Sequence, residues 1–562
     1  MDGNTYLYIA IGVVLVLVVI YRIATREERR RKKYLTAVLK SWGQIPNREY
    51  EYDEFQSIGN YYKKTKGKEF TIDDITWNDL DMDSIFMSIN NTQSSIGEEY
   101  LYKMLRTPCF DKETLDERNR VIEYFSSHEK ERIEYQIDIA HVGRTKKISL
   151  YDYISNFAEL ENEGNFRHYL HILLIFVAIV VLIQNPAFGI LAVIFVLGYN
   201  IYEYFKTKSD IEPYFVCVGA VTRLIHSCEY LGKHKEPELK EYLDTLREGA
   251  KKLSSLKKDA KYIGSGDKLS GDLGEIVMDY IRMFTHLDII KFNNMIGKVQ
   301  KNIKTIRGML ETIGQLEAYI AIASYRECLP FYCRGDMIEG KGTILEAKDM
   351  YHPLVEEPVA NSIYENRCVL LTGSNASGKS TFLKTTAICA ILAQTIDTVP
   401  AHSYHANFFR VYSSMALKDN LQGNESYYMV EIRSLKRIMD AEKEEGATVL
   451  CFVDEVLRGT NTVERIAASS RILQTLAQNG VMCFAATHDI ELTQLLKDYY
   501  SNYHFKEEII DDDIIFNYRL NKGSATTRNA IRLLQIMGYD EEVIKEADKT
   551  AKHFLETGVW EM

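Results

Sequence analysis

The sequence lacks the paired cysteines of a zinc site and the excess positive charge of a protein that binds nucleic acid through bulk electrostatics. Its nine cysteines are scattered without a C-x-x-C pair, which favours reduced, buried thiols in a cytosolic body. The formal net charge is −11, so a contact with DNA would need a local basic face. The 562 residues are too many for one ordinary core and predict two or more domains.

The first apolar run, residues 6–24, is about as long as a helix that crosses a bilayer. A dense basic run follows at 25–33. A secretory signal would carry its positive charge before the apolar core, so this order favours a membrane anchor. The positive-inside rule then places the N-terminus outside and the rest of the chain in the cytoplasm. We therefore predict a protein of the cell membrane, with a buried core helix as the alternative.

A second apolar stretch, 169–204, is too long for one span and is broken by Gln-Asn-Pro at 184–186. Its two halves predict a helical hairpin that returns the chain to the cytoplasm. Each half is near the lower length limit for a span, and His171 lies inside the first. The hairpin therefore either crosses the membrane, lies in its plane or forms a buried helix pair.

The pattern of apolar residues changes after about residue 340. Segments 70–160 and 210–330 show the apolar spacing of amphipathic helices. Beyond them, short apolar runs such as 449–453 and 481–485 alternate with helical segments. This alternation predicts an α/β sheet domain.

Residues 373–381, GSNASGKST, fit the phosphate-binding pattern G-x-x-x-x-G-K-[ST] between an apolar strand and a helix. The glycines let backbone N–H groups point at phosphate oxygens, and the helix N-terminus favours the anion. Lys379 would reach the β- and γ-phosphates, and Ser380 would ligate Mg²⁺. We predict that the whole loop binds nucleotide: Gly373, Ser374, Asn375, Ala376, Ser377, Gly378, Lys379, Ser380 and Thr381.

Two further strand ends complete a hydrolytic site. The apolar run 449–453 leads directly into Asp454 and Glu455. An acidic pair at the end of a buried strand predicts a metal ligand, Asp454, and a general base for the attacking water, Glu455. A third strand ends at His488, which is predicted to sense the γ-phosphate. The chain is thus predicted to be an ATP hydrolase that uses ATP and Mg²⁺.

Four segments in this order resemble the ATPase domain of the MutS mismatch-repair proteins. They are TGSNASGKST (372–381), DNLQGNESYYMVE (419–431), DEVLRGTNT (454–462) and ATHDIELTQL (486–495). ABC transporter ATPases, which are related, carry an LSGGQ signature that is absent from this sequence. Three more segments resemble other parts of the family. Residues 79–125 are similar to its helical core, 351–362 to the stretch before its phosphate loop, and 520–548 to its C-terminal dimerisation segment.

The resemblance implies a composite site. Asn375 matches the phosphate-loop asparagine, and Ser426 matches a serine that reaches the nucleotide of the partner subunit in the family. Tyr518 falls where the family has an aromatic or histidine side chain against the adenine. These matches imply a dimer with two interfacial sites; a homodimer is expected, and the sequence leaves a heterodimer open.

The expected fold is an α/β P-loop NTPase domain of the ABC/MutS type, preceded by an all-α core, or lever, domain with transmembrane helices. The expected segments are the anchor and its basic flank (1–34), the helical core (35–168 and 205–335), the transmembrane hairpin (169–204), the ATPase domain (336–520) and the C-terminal dimerisation segment (521–562).

The sequence also departs from the family pattern. The loop reads Ser-Asn-Ala-Ser-Gly where Pro-Asn-Met-Gly-Gly is usual, and Leu457 stands where a glycine is usual. Only about fifty residues separate the first apolar run from the core resemblance. We therefore expect a divergent member without the mismatch-recognition domain, since fifty residues are too few for a domain.

Two functions remain open. One is a membrane-anchored MutS-like ATPase that couples ATP hydrolysis to the motion of a dimeric clamp on DNA. The other is an ATP-driven membrane switch that acts on an unknown protein partner without nucleic acid. A transporter is a distant third, because the predicted spans carry few of the polar groups that a pathway needs.

Overall fold

The computed structural model describes two compact units. One comprises Met1–Gly67, Ile89–Lys103 and Arg120–Cys328, and the other Lys68–Ser88, Met104–Asn119 and Leu329–Met562. The predicted anchor, apart from Tyr21, and the site residues Asn375, Ala376 and Ser426 lie outside the described residues. The residues described are 21, 25–145, 147–157, 160, 164–260, 273–374, 377–415, 427–457, 460–510, 513–524, 531, 534 and 538–560.

The described chain before residue 330 is helical, which confirms the prediction for the N-terminal region. Helix starts follow local capping chemistry: Asp73 accepts a 2.8 Å hydrogen bond from the N–H of Thr76, and Asp111 accepts one of 2.7 Å from Thr114. The helices are α1 (Arg26–Ser41), α2 (Tyr52–Ile58), α3 (Asn60–Thr65), α4 (Asp74–Asp79), α5 (Met82–Ile89), α6 (Ser95–Arg106), α7 (Lys112–Ser127), α8 (Glu129–Ala140), α9 (Leu150–Phe157), α10 (Phe166–Gln184), α11 (Pro186–Leu231), α12 (Lys240–Lys252), α13 (Ser254–Ala260), α14 (Leu273–Thr285), α15 (Leu287–Lys301) and α16 (Ile303–Cys328).

Helices α10 and α11 form the hairpin expected from the second apolar stretch. The segments Phe166–Gln184 and Pro186–Ile211 are long and apolar enough to cross a membrane, and at most 17% of either apolar window is buried. A side chain at Gly189 would clash with the backbone of Leu182, so this glycine allows the two helices to approach closely. The imidazole of His171 is buried, and its Nδ1 lies 2.8 Å from Asn200 Oδ1, so the polar group in the apolar hairpin has a partner.

After residue 330 the chain alternates between strands and helices, which confirms the predicted α/β texture. The strands are β1 (Gly335–Ile338), β2 (Leu345–Met350), β3 (Asn361–Glu365), β4 (Cys368–Thr372), β5 (Ser403–Asn407), β6 (Phe409–Ser414), β7 (Thr448–Asp454), β8 (Met482–Ala486), β9 (Tyr500–Ile510) and β10 (Asp513–Lys522). The helices are α17 (Lys379–Thr395), α18 (Tyr427–Ala441), α19 (Thr462–Gln478), α20 (Glu491–Leu495) and α21 (Glu541–Thr557).

The strands form two sheets. The larger has the order β10-β9-β4-β8-β7-β6 and is parallel except for the β10–β9 pair. The smaller has the order β1-β5-β2-β3. Strands β4 and β8 are buried along their whole length, and β7 is buried over its five apolar residues, as expected for parallel strands covered on both faces.

The register of the three central strands determines where the site lies. Leu371 on β4 pairs with Ala486 on β8, and Ala486 pairs with Asp454 on β7. The carboxyl ends of the three strands therefore lie at one level of the sheet edge. In open α/β sheets this edge is where ligands bind.

Candidate nucleotide-binding site

The loop after β4 depends on two glycines with left-handed backbone angles. Gly373 has φ +146° and Gly378 has φ +106°. A Cβ at Gly373 would lie 2.9 Å from the carbonyl oxygen of Phe505, and one at Gly378 would lie 3.2 Å from the ring of Tyr518. Both glycines are thus required by backbone conformation and by close approach.

Lys379, the first residue of α17, is buried beneath this loop. Its Nζ donates hydrogen bonds of 2.9 and 2.7 Å to the carbonyl oxygens of Gly373 and Ser374. Burial lowers the pKa of the ammonium, while the nearby carboxylates of Asp454, Glu455 and Glu507 oppose this shift. The charge is therefore held at the loop by fixed carbonyls, where it can meet a phosphate.

Ser377 provides a test of whether the loop suits an anion. Its hydroxyl is buried and has no hydrogen-bond partner among the described residues. A buried hydroxyl without a partner costs free energy, on the order of 1–3 kcal/mol, unless a ligand supplies one. It lies in the loop between Ser374 and the first turn of α17, where a phosphate oxygen would meet the positive end of the helix dipole. The loop chemistry fits a nucleotide phosphate.

The first turn of α17 meets the end of β7 through one hydrogen bond. The hydroxyl of Ser380 donates to Asp454 Oδ2 at 2.5 Å. A hydroxyl and a carboxylate are the hard oxygen ligands that suit Mg²⁺. The structure thus brings together the two residues predicted to bind the metal.

Glu455 and His488 face each other across the ends of β7 and β8. Glu455 Oε1 lies 2.9 Å from His488 Nε2. Glu455 has φ +58°, an uncommon conformation for this residue, and its N–H donates to the carbonyl of Ala486 at 3.0 Å. The neighbouring strand thus holds the predicted base in a strained backbone beside the predicted sensor.

A pocket of about 490 Å³ lies over these groups. Ser377 to Thr381, Asp454, Glu455 and Tyr518 line it, together with Phe505. Gly373 and Ser374 lie apart from the lining, and the Ser374 hydroxyl donates to Glu507 at 3.1 Å. His488 does not line the pocket but contacts Glu455, which does.

Another wall of the pocket comes from the segment that runs from the last residue of β2 to the first residue of β3, for which the sequence predicts no individual roles. Met350, His352, Val359 and Asn361 all line the pocket. Burial and the charge of Lys384 lower the pKa of His352 to about 4, so its imidazole is neutral at pH 7. Residues 351–362 resemble the stretch before the phosphate loop of the MutS family. That resemblance points to the segment but does not show which of its side chains line the pocket.

Asn361 fixes the position of Tyr518. Its Nδ2 donates to the Tyr518 carbonyl at 2.9 Å, and its Oδ1 accepts from the N–H of Leu520 at 2.7 Å. Tyr518 itself has φ +53° at an irregularity in the β9–β10 pairing. The amide therefore clamps a distorted strand and places the tyrosine at the pocket.

The departure at Leu457 has a structural counterpart. Leu457 has φ +58° and is buried, although left-handed backbone favours glycine. Its N–H donates to the buried carboxylate of Glu431 on α18. A leucine thus occupies a backbone conformation that suits the usual glycine, and its side chain joins the core of the sheet.

A comparison with known families identifies the part of the chain that contains this site. Residues 369–555 match MutS domain V. This range includes the predicted catalytic and metal residues and the whole phosphate loop, whereas the pocket residues Met350, His352 and Asn361 precede it.

Curated proteins that are similar to this chain include mismatch repair proteins from two bacteria. The chain is 30% identical to the DNA mismatch repair protein MutS of Thermotoga petrophila over 267 residues, which is 46% of this chain and 33% of that protein. It is 29% identical to the protein of the same name from Thermus aquaticus over 255 residues, 44% of this chain and 30% of that one. The chain is thus similar to MutS proteins over a little less than half of its own length, and it spans about a third of the length of these relatives.

Proposed function

We propose that the chain is a membrane-anchored ATPase of the MutS type, in which binding and hydrolysis of ATP drive the motion of a dimer. The observation that carries this proposal is the convergence at one sheet edge of Lys379, the Ser380–Asp454 pair and the Glu455–His488 pair. The match of residues 369–555 to MutS domain V supports the same chemistry.

In this proposal each group has one role. Lys379 and the loop N–H groups hold the β- and γ-phosphates, and Ser380 with Asp454 would hold Mg²⁺. When bound, Mg²⁺ supplies neutralising charge to the phosphates. Glu455 takes a proton from the attacking water, and His488 orients Glu455 and the γ-phosphate through its ring nitrogens.

In this proposal the aromatic ring of Tyr518 packs against the adenine of the nucleotide. It lies beside Gly378 and lines the pocket. We further propose that Asn375 belongs to the phosphate cradle and that Ser426 acts on the nucleotide of a second copy of the chain. Hydrolysis and association are then coupled, since each site needs two chains.

The ligand of the dimer is proposed to be DNA, because the curated relatives are DNA mismatch repair proteins. A second candidate is a switch that acts on a membrane protein without nucleic acid. Two observations favour this candidate: the net charge of −11 and the apolar hairpin, whose side chains are mostly exposed. The hairpin and the first apolar run support a location in the cell membrane, with the ATPase unit in the cytoplasm.

The test uses the purified full chain in detergent. Wild type should hydrolyse ATP, Lys379→Ala should lose ATP binding, and Glu455→Gln should bind ATP and accumulate as a nucleotide-held dimer. Lys436→Ala is the matched control, because Lys436 forms an exposed ion pair with Asp440 on α18. Normal hydrolysis by Glu455→Gln would show that the general base has been assigned to the wrong residue.

The same preparation distinguishes the two ligands. Duplex, single-stranded and branched DNA are added separately, and the rates of hydrolysis and nucleotide exchange are measured. A change of severalfold with any of them supports the clamp on DNA. Unchanged rates with all three would favour the switch that acts on a protein partner.

A further inference from the structure

The segment that carries His488 is tied to both neighbouring strands. The N–H of Thr487 donates to the Leu371 carbonyl on β4 at 2.9 Å. The N–H of Glu455 donates to the Ala486 carbonyl at 3.0 Å, and the N–H of Asp489 donates to Thr487 Oγ1 at 3.0 Å. The backbone on either side of His488 is therefore held in place, and Asp489 belongs to the turn that directly follows the histidine.

Asp489 is held by an arginine from the helix that follows the acidic motif. Arg465 Nε donates to Asp489 Oδ2 at 2.9 Å, and Arg465 Nη2 donates to Asp489 Oδ1 at 2.6 Å. Two parallel hydrogen bonds between planar groups fix orientation as well as distance. The side chains are only 24% and 12% exposed, so solvent screens this pair less than an ordinary surface pair.

Helix stability does not explain the position of Arg465. It is the fourth residue of α19, near the positive end of the helix dipole, where a cation is disfavoured. Asn461 already caps this helix by accepting a hydrogen bond from the N–H of Val463 at 2.9 Å. The carboxylate of Asp489 is the group that stabilises a cation here.

The pair also connects two parts of the site. Arg465 belongs to the helix that begins shortly after Glu455, while Asp489 directly follows His488. The hydrogen bonding to Asp489, and then the charges of Asp489, Glu455 and Glu491, raise the pKa of Arg465, so its cation is also electrostatically linked to the predicted base. A shift of α19 would thus be transmitted to His488 through the two hydrogen bonds.

We propose that Arg465 and Asp489 are positioning residues, which hold His488 against Glu455 and so set the rate of hydrolysis without contacting the nucleotide. This inference rests on the proposed ATPase function. It assigns to the pair a contribution to kcat and none to binding, because neither residue lines the pocket. It also requires that the pair act through His488.

The test compares variants of the full chain in detergent. Asp489→Asn keeps the shape of the side chain but removes its charge, and kcat should fall about tenfold while KM for ATP stays within twofold. Arg465→Lys keeps the charge but lacks the planar fork, and its kcat should lie between those of wild type and Asp489→Asn. Asp440→Asn is the matched control, since Asp440 on α18 forms exposed ion pairs with Lys436 and with Lys443, which lies just beyond the helix, and it should keep the wild-type kcat.

Combination with His488→Ala decides whether the pair acts through the histidine. His488→Ala alone should lower kcat, and adding Asp489→Asn should change it by less than twofold. A further tenfold loss in the double variant would overturn the proposal, as would a wild-type kcat in either Asp489→Asn or His488→Ala. Melting temperatures are measured alongside, and a loss of kcat that follows unfolding also counts against the proposal.

These results are distinguishable from a failure of the proposed function. If wild type hydrolyses ATP no faster than Lys379→Ala, the proposed ATPase function is wrong, and the positioning role that rests on it is wrong as well. If wild type is active and Asp489→Asn is equally active, the ATPase stands and the positioning role alone is refuted.

Discussion

Ser380 on α17 donates a 2.5 Å hydrogen bond to Asp454 at the end of β7, although 74 positions separate them in the sequence. This contact joins the helix that follows the phosphate loop to the strand that carries the acidic motif. It places a hydroxyl and a carboxylate oxygen where a divalent cation would be shared with the nucleotide phosphates. The arrangement makes a specific prediction about the dependence of hydrolysis on Mg²⁺.

Ser380→Ala and Asp454→Asn should each lower the rate of ATP hydrolysis by about 10–100-fold, because each removes one oxygen from the proposed metal site. Both should also raise the Mg²⁺ concentration that gives half the maximal rate. The measurement is a Mg²⁺ titration of steady-state hydrolysis by the full chain. Ser470→Ala, on the exposed face of α19, is the control. An unchanged Mg²⁺ requirement in both variants would remove these residues from the metal site.

Leu457 offers a test of backbone strain against burial. Replacing it with glycine relieves the left-handed backbone, worth about 1–2 kcal/mol, but removes a buried side chain worth about 2–5 kcal/mol. The lost burial outweighs the relieved strain, so Leu457→Gly should lower the melting temperature. Leu457→Ala loses most of the same burial without relieving the strain and should be the less stable variant by about 1 kcal/mol. An alanine variant as stable as the glycine variant would show that the backbone is not strained there.

The motif residues could be predicted because their chemistry depends on short, local patterns. Lys379 follows β4 within a glycine-rich motif, and Asp454 ends the apolar strand β7. The register of the central strands then brings the two residues to one edge. His488 was identified by its order after those two motifs. The α/β texture followed in the same way from short apolar runs separated by helical segments.

The supporting contacts could not be predicted, because they join segments that only the fold brings together. Arg465 and Asp489 have no unusual local pattern, and neither has Asn361, which clamps the strand at Tyr518. His352 was seen only as part of a segment. Its depressed pKa arises from burial in the folded unit, and a single sequence does not reveal burial at one position.

The protonation of Glu317 on α16 should make the stability of the protein depend on pH. Its buried carboxyl group accepts a hydrogen bond from the N–H of Ser94 at 2.8 Å, but burial raises its pKa to about 7. The unfolded chain, with an ordinary glutamate pKa, loses this proton at lower pH than the folded chain does. The stabilisation is therefore complete below about pH 4.5 and is lost as the pH rises through about 7.

Glu317→Gln should remove this dependence. Between pH 5 and pH 8, the stability of wild type should fall relative to the variant by up to about 3 kcal/mol. Melting temperatures of both chains at pH 5, 6, 7 and 8 provide the measurement. Glu248→Gln, at an exposed residue of α12, is the control and should follow wild type. A constant difference between wild type and Glu317→Gln would show that this carboxyl group does not titrate in that range.

The hairpin tip distinguishes a membrane-spanning hairpin from one that lies in the plane of the membrane. Helix α10 has 19 residues and a length of about 28 Å, which is close to the apolar thickness of a bilayer. No Asp, Glu, Lys or Arg occurs from 168 to 202, so nothing in the sequence opposes insertion by charge. A spanning hairpin would carry its exposed tip, Asn185, across the membrane.

We expect Asn185→Cys to react with a membrane-impermeant maleimide on intact cells that express the full chain. Ser209→Cys, in the charged part of α11 that follows the charge-free stretch 168–202, should react only after the cells are permeabilised, because it should lie on the cytoplasmic side. The unsubstituted chain measures any background from the nine native cysteines. Labelling of Asn185→Cys only after permeabilisation would favour a hairpin in the membrane plane, since its tip would then stay on the cytoplasmic surface.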